Sequence, residues 1–98
     1  MTEPGGPEEP DGDGESLLRF PLDFPIKVLG LNELEFEPQI VQLVRVHAPD
    51  LDLNTLEVRQ SSAGKYLALT LTIRAQSRAQ LDALYIALTS HPLVKVVL

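Results

Sequence analysis

Cysteine and tryptophan are both absent from this chain, and its aromatic residues amount to two Tyr and three Phe. Without Cys there is no disulfide framework and no thiolate metal site, so stability has to come from packing. Long apolar runs are also missing. None approaches the roughly 20 residues that a helix needs to cross a bilayer. The first 16 residues, MTEPGGPEEPDGDGES, hold no Lys, no Arg and no apolar core. They therefore lack both the basic start and the apolar centre of a secretory signal. A cytoplasmic setting is the default expectation.

What those residues do hold is acid: Glu3, Glu8, Glu9, Asp11, Asp13 and Glu15, among Gly and Pro. The whole chain of 98 residues has 14 acids, 8 bases and a net charge of −6. The eight acids beyond the first 16 residues match the eight bases, so the segment carries the entire imbalance. It has too little apolar surface to offset chain entropy and reads as a disordered, solubilising tail over 1–16. Residues 17–98 then make one domain. A neutral domain with an acidic arm lacks the cationic surplus that phosphate backbones or anionic lipids require. Neither nucleic acid nor membrane is expected as a partner.

The strongest pattern lies in RQSSAGKYLALTLTIRAQSRAQ, residues 59–80. Leu67, Leu69, Leu71 and Ile73 alternate with Ala68, Thr70, Thr72 and Arg74, the period of a strand with one apolar face. Ser61 to Gly64 reads as the hairpin turn before it, with Gly64 free to take a positive φ. Ser77-Arg-Ala-Gln80 has the form of a capping box, in which the Ser hydroxyl and the Gln amide satisfy backbone donors at a helix start. Leu81, Leu84, Tyr85 and Leu88 follow at helical spacing and end before Pro92. Leu93 to Leu98 reads as a last strand.

In the first half, Phe24, Ile26 and Val28 alternate as a strand that Gly30 ends, with Leu31-Asn32 turning the chain. Pro38 suits the first position of a helix, and Glu33, Glu35 and Glu37 suit its positive end. Phe36, Ile40, Leu43, Val44 and His47 give its core stripe, and Pro49 stops it near His47 or Ala48. Thr55 to Arg59 reads as a second strand. The order is βαββαβ, which predicts an α+β, ferredoxin-like sandwich: a four-stranded antiparallel sheet with two helices on one face. Phe24, Ile26, Val28, Leu56, Val58, Val94, Val96 and Leu98 are expected to join Leu67 to Ile73 against the helices. A core of this size is small, so a homodimer that covers an edge or a face is consistent with it.

Candidate chemistry is thin. Gly64-Lys65 invites comparison with a phosphate loop, but Arg59 stands where the first Gly of that motif belongs, and the turn joins two strands. An RNA-recognition sheet needs aromatics on its central strands, where this chain offers Ala68, Thr70 and Thr72. Ser61, Ser62, His47 and His91 show no nucleophile motif, and two separated His without a partnering acid pattern do not make a metal site. No catalytic residue, metal or cofactor is expected. The ligand-binding candidates are Gly30, Leu31 and Asn32, at the turn after the first strand.

FPIKVLG, IVQLVRVHAPD and RQSSAGKYLALTLTIRAQSRAQLDALYIALTSHPLVKVVL resemble the YbeD-like family of small bacterial proteins of unknown function. The resemblance runs from Phe20 to Leu98 and includes the His47-Ala48-Pro49 segment, the hairpin and the terminal V-x-x-V-L pattern. It implies an ACT-like form of the ferredoxin-like fold, a bacterial cytosolic setting and a regulatory role. It carries over no catalytic residues. The leading expectation is a non-enzymatic ACT-like regulatory module that binds a small ligand, such as an amino acid, or a protein partner. An adaptor using the open sheet face or a strand edge is the alternative, and an unrecognised enzyme is the third reading.

Overall fold

The structure is a computed structural model that describes residues 19–98. The expected tail over 1–16 and the start of the folded part at Leu17 and Leu18 lie outside the described residues. Four strands, β1 (Leu22–Leu31), β2 (Glu57–Gln60), β3 (Tyr66–Ala75) and β4 (Val94–Val97), alternate with helices α1 (Phe36–His47) and α2 (Arg78–Thr89). The sheet order is β2-β3-β1-β4, with every neighbouring pair antiparallel. This is the βαββαβ ferredoxin-like sandwich expected from the pattern.

The alternation of β3 explains its central place. Leu67, Leu69, Leu71, Ile73 and Ala75 are buried, while Ala68, Thr70 and Thr72 are half-buried on the other face. Ile26 and Val28 of β1 share the buried face, under Phe36, Ile40 and Val44 of α1 and Leu81, Leu84 and Leu88 of α2. Burying a Leu, Ile or Phe side chain contributes about 1.5–3 kcal/mol, so this cluster is the main term that holds the fold. The described residues bury no polar or charged side chain.

Several boundaries differ from the sequence reading. Gly30 does not end β1: it is a buried strand residue, paired with both Leu67 and Val94. The reason is steric. A Cβ there would collide with the Phe36 ring and the Leu93 carbonyl oxygen, so the glycine admits Phe36 over the sheet. α1 begins at Phe36, two residues before the expected start, and Pro38 is its third residue. Proline is tolerated there because the N–H groups of the first turn have no intrahelical partner. Pro25 sits inside β1, opposite Thr72. Its nitrogen shares the side on which Lys27 exchanges both backbone bonds with Leu98, but β4 reaches only as far as Lys27. No ladder bond is lost there.

The second strand is shorter than expected, because Leu53–Thr55 forms a 3-10 turn closed by Asp52. All four β2 residues are exposed, Val58 included at 48%. Val58 does face the helix side, opposite Leu69, but β2 lies outside the covered part of the sheet. In β4 a bulge shifts the register between Leu29 and Gly30. Val94 and Val97 consequently face the helices, opposite Gly30 and Val28. Val96 pairs with Leu29 and Leu98 bonds Lys27, which puts both on the open face rather than in the core. One inserted residue reverses the facing of everything after it.

Candidate binding surface

The open face of the sheet reads as rows across the strands. One row runs Arg59, Ala68, Leu29, Val96, and the next runs Glu57, Thr70, Lys27, Leu98. Beside the first row, Tyr66 pairs with Leu31. Towards the start of β1, Arg74 and Asp23 are paired in register and joined by a 3.2 Å ion pair. Val96, Leu98 and Tyr66 stand 45%, 66% and 38% exposed, so an apolar strip crosses the face.

Ala68 is the low point. Its methyl lies between the longer side chains of Arg59 and Leu29, and two depressions adjoin it. One, of about 210 Å³, is lined by Lys27, Glu57, Val58, Arg59, Ala68 and Thr70. The other, of about 160 Å³, is lined by Leu29, Arg59, Gln60, Ser61, Tyr66 and Ala68. They share Arg59 and Ala68, so a charged hollow continues into an apolar one. Among the described residues neither Lys27 nor Arg59 makes an ion pair. Lys65 projects over the Tyr66 ring, 5.5 Å from its centre. The face thus carries Lys27, Arg59, Lys65 and Arg74 against Asp23 and Glu57. The other described acids, Glu33, Glu35, Glu37, Asp50, Asp52 and Asp82, lie in the helices and the loops beside them. The folded part, neutral in sum, is polarised between its two sides.

The three residues expected to hold a ligand are brought together but differently engaged. Gly30 is buried beneath Phe36. Leu31 is half-buried opposite Tyr66, on the open face. Asn32 is exposed and ties the segment to the hairpin: its amide nitrogen donates to the Gly64 carbonyl at 2.9 Å, and its backbone N–H donates to the Lys65 carbonyl at 3.0 Å. Gly64 has the expected positive φ, 73°. Ser61 accepts the Tyr66 N–H through its hydroxyl, which closes the hairpin.

Among the remaining polar groups, His91 and Ser77 have structural partners. His91 accepts the Leu93 N–H at Nδ1, which leaves Nε2 to donate to Gln39 Oε1 at 2.9 Å. Ser77 accepts the Gln80 N–H. Among the described residues no three His, Asp or Glu gather as a metal site. Burial pushes the hydroxyl of Tyr85, within α2, above its ordinary pKa, a desolvation effect and not a sign of a reactive group. Val96 and Leu98 are the face residues that sequence spacing missed, because a bulge leaves no trace in the spacing of LVKVVL.

The family described as "Protein of unknown function (DUF493)" matches residues 15–98. The chain belongs to this family. Its DUF493 relatives include a UPF0250 protein of Janthinobacterium sp. (strain Marseille), 57% identical over 86% of this chain and 92% of that protein. Another, from Nitrosomonas europaea, is 51% identical over 86% of this chain and 97% of that one. Among solved structures, the crystal structure of the ACT domain from GTP pyrophosphokinase of Chlorobium tepidum superposes with a TM-score of 0.60. It is 19% identical and covers 79% of this chain and 97% of the domain. The solution structure of that same domain gives the same score. The DUF493 chain therefore has an ACT-like fold, as its resemblance to YbeD-like proteins implied. Among its described residues no helix is long and apolar enough to cross a membrane.

Proposed function

We propose that this chain is a non-catalytic, regulatory ACT-like module whose open sheet face binds a protein segment that alternates acidic and apolar residues. The observation that carries the reading is the pair of joined hollows at Ala68, with Lys27 and Arg59, which make no ion pair among the described residues, beside an exposed apolar strip. Small-molecule sites are enclosed clefts of about 300–1,000 Å³. Hollows of about 210 and 160 Å³ on a sheet surface suit side chains of an extended segment better than a sequestered metabolite. In this reading Leu31 contributes contact area beside Tyr66, Asn32 ties the end of β1 to the hairpin, and Gly30, buried beneath Phe36, makes no contact with the bound segment. Engagement of Ser61, Ser77 and His91 in turns and caps supports the absence of catalysis.

A fluorescein-labelled peptide alternating Glu with Leu tests this. Its anisotropy should rise saturably, and affinity should fall at least tenfold between about 0.1 and 1 M salt as charges are screened. Lys27→Glu with Arg59→Glu should abolish binding, and Ala68→Leu should weaken it by filling the hollow. Equal binding by the charge-reversed variant, or none by the unaltered chain, would sink the proposal. A thermal shift by a free amino acid that Asn32→Ala removes would instead favour the turn after β1 as the ligand site.

A further inference from the structure

Three apolar residues of the described chain stand between two acids: Leu34, Phe36 and Leu51. Phe36 is fully buried and Leu51 is 6% exposed, whereas Leu34 is 97% exposed. We infer that Leu34, with Glu33 and Glu35 beside it, is a knob that enters the apolar hollow at Ala68 of a second copy of this chain, while the knob of that copy enters the first. The inference rests on the reading of the open face as a surface for acid–apolar segments, and it names such a segment within the chain itself.

Scattered exposed apolar side chains are ordinary and need no partner. Leu34 differs in being held out. The Phe36 N–H donates to the Glu33 carbonyl at 3.1 Å, and the Glu33 N–H donates to the Leu31 carbonyl at 2.9 Å, so Leu34 sits at the corner of a closed turn. Burial of Phe36 over Gly30 fixes one end of that turn, and the two bonds from Asn32 to the hairpin fix the other. Little freedom is lost when a turn so held is bound. Glu33 and Glu35 are exposed and make no ion pair among the described residues. Glu35, at the N-cap of α1, makes no side-chain capping bond either.

The hollow matches the knob in size, polarity and charge. Its volume is about 160 Å³ and its lining, which includes Leu29 and Tyr66, is almost wholly apolar. Apolar cavities of about 150 Å³ admit a molecule the size of benzene, so a Leu side chain, with fewer carbons, fits. Cations stand at the rim: Arg59 lines the hollow, and Lys65 lies over the Tyr66 ring. Two acids thus flank the knob and two bases flank the hollow. Knob and hollow also share one end of the sheet, because Asn32 bonds Gly64 and Lys65 in the hairpin that supplies Ser61 and Tyr66 to the hollow. A two-fold axis at that end makes the contact reciprocal, and the pair closes without growing into a fibre. The dimer covers the apolar hollow, so a partner segment binds there in competition with it.

Charge reversal in two halves gives the test, read by sedimentation of the full chain. The unaltered chain should form dimers as its concentration rises. Leu34→Asp should weaken association at least tenfold, as loss of a central anchor does, and Ala68→Leu should do so by filling the hollow. Neither the Glu33→Lys, Glu35→Lys chain nor the Arg59→Glu, Lys65→Glu chain should self-associate, since each sets like charges together. An equimolar mixture of the two should form a heterodimer. Leu34, Glu33, Glu35, Arg59 and Lys65 are all exposed, so these variants should unfold at the temperature of the unaltered chain. An unaltered chain that stays monomeric at millimolar concentration, a dimer that survives Leu34→Asp, or a mixture that stays monomeric would overturn the inference. Leu34→Asp leaves the face intact and separates this inference from the reading beneath it. A monomeric unaltered chain that binds the Glu–Leu peptide overturns the inference alone, while a Leu34→Asp chain that binds no peptide overturns the reading of the face.

Discussion

At Gly30 the side chain is a hydrogen because the Phe36 ring and the Leu93 carbonyl fill the space where a Cβ would project. Gly30→Ala should therefore destabilise the fold by about 2 kcal/mol or more, as overpacking does in a close-packed core. Phe36→Ala alone should cost about 3–5 kcal/mol through its cavity. The two changes share one volume, so the double variant should cost less than the sum by at least about 1 kcal/mol in urea unfolding. Strict additivity would show that the glycine serves a turn, which is how the sequence alone presents it. A glycine followed by Leu-Asn has the composition of a turn whether or not the strand has ended. Gly64 was legible because a hairpin of that length needs a positive φ, whereas Gly30 depends on a ring six residues on that folding brings back over it.

At the scale of elements, the start of α2 does more than cap itself. Ser77 accepts the Gln80 N–H as the capping pattern predicts, but the Gln80 side chain divides its two ends. Its oxygen accepts the Gln76 N–H at 2.6 Å, and its nitrogen donates to the carbonyl of His47, the last residue of α1, at 2.8 Å. One side chain thus satisfies a donor at the start of one helix and an acceptor at the end of the other. Gln80→Ala should lower stability by about 1–2 kcal/mol, more than a simple cap partner. Gln80→Glu keeps the acceptor, loses the donor and sets a carboxylate against the His47 carbonyl, so thermal unfolding should place it no higher than the alanine variant. Equal stability of all three chains would mean that the helix ends are held by packing alone. The start of the capping box was visible in its spacing; its reach to α1 is a tertiary contact that spacing does not encode. The same limit applies to β4, where LVKVVL alternates too weakly to fix register and the bulge decides that Val96 and Leu98 face outward.

Across the whole molecule, the candidate surface sits on the two central strands. Lys27 and Leu29 belong to β1, and Ala68 and Thr70 to β3, and these strands pair over ten residues. β2 contributes Arg59 from a four-residue edge whose side chains are all exposed. Strands buried on one face and paired on both sides open only with much of the global unfolding free energy, whereas short edges open locally. Amide exchange should therefore be slowest at Val28, Leu69 and Leu71 and fastest, among the strands, at Glu57 to Gln60. This ordering separates two modes of binding on one sheet. A segment laid across the open face contacts side chains on strands that are already ordered, so bound peptide should leave exchange along β2 within about twofold of its free value. A segment added as a fifth strand would bond the outward backbone groups of β2 and slow its amides tenfold or more. Slowing confined to β2 would move the recognition surface from the face to the edge, and it would leave the hollows at Ala68 as no more than the space beside a small side chain.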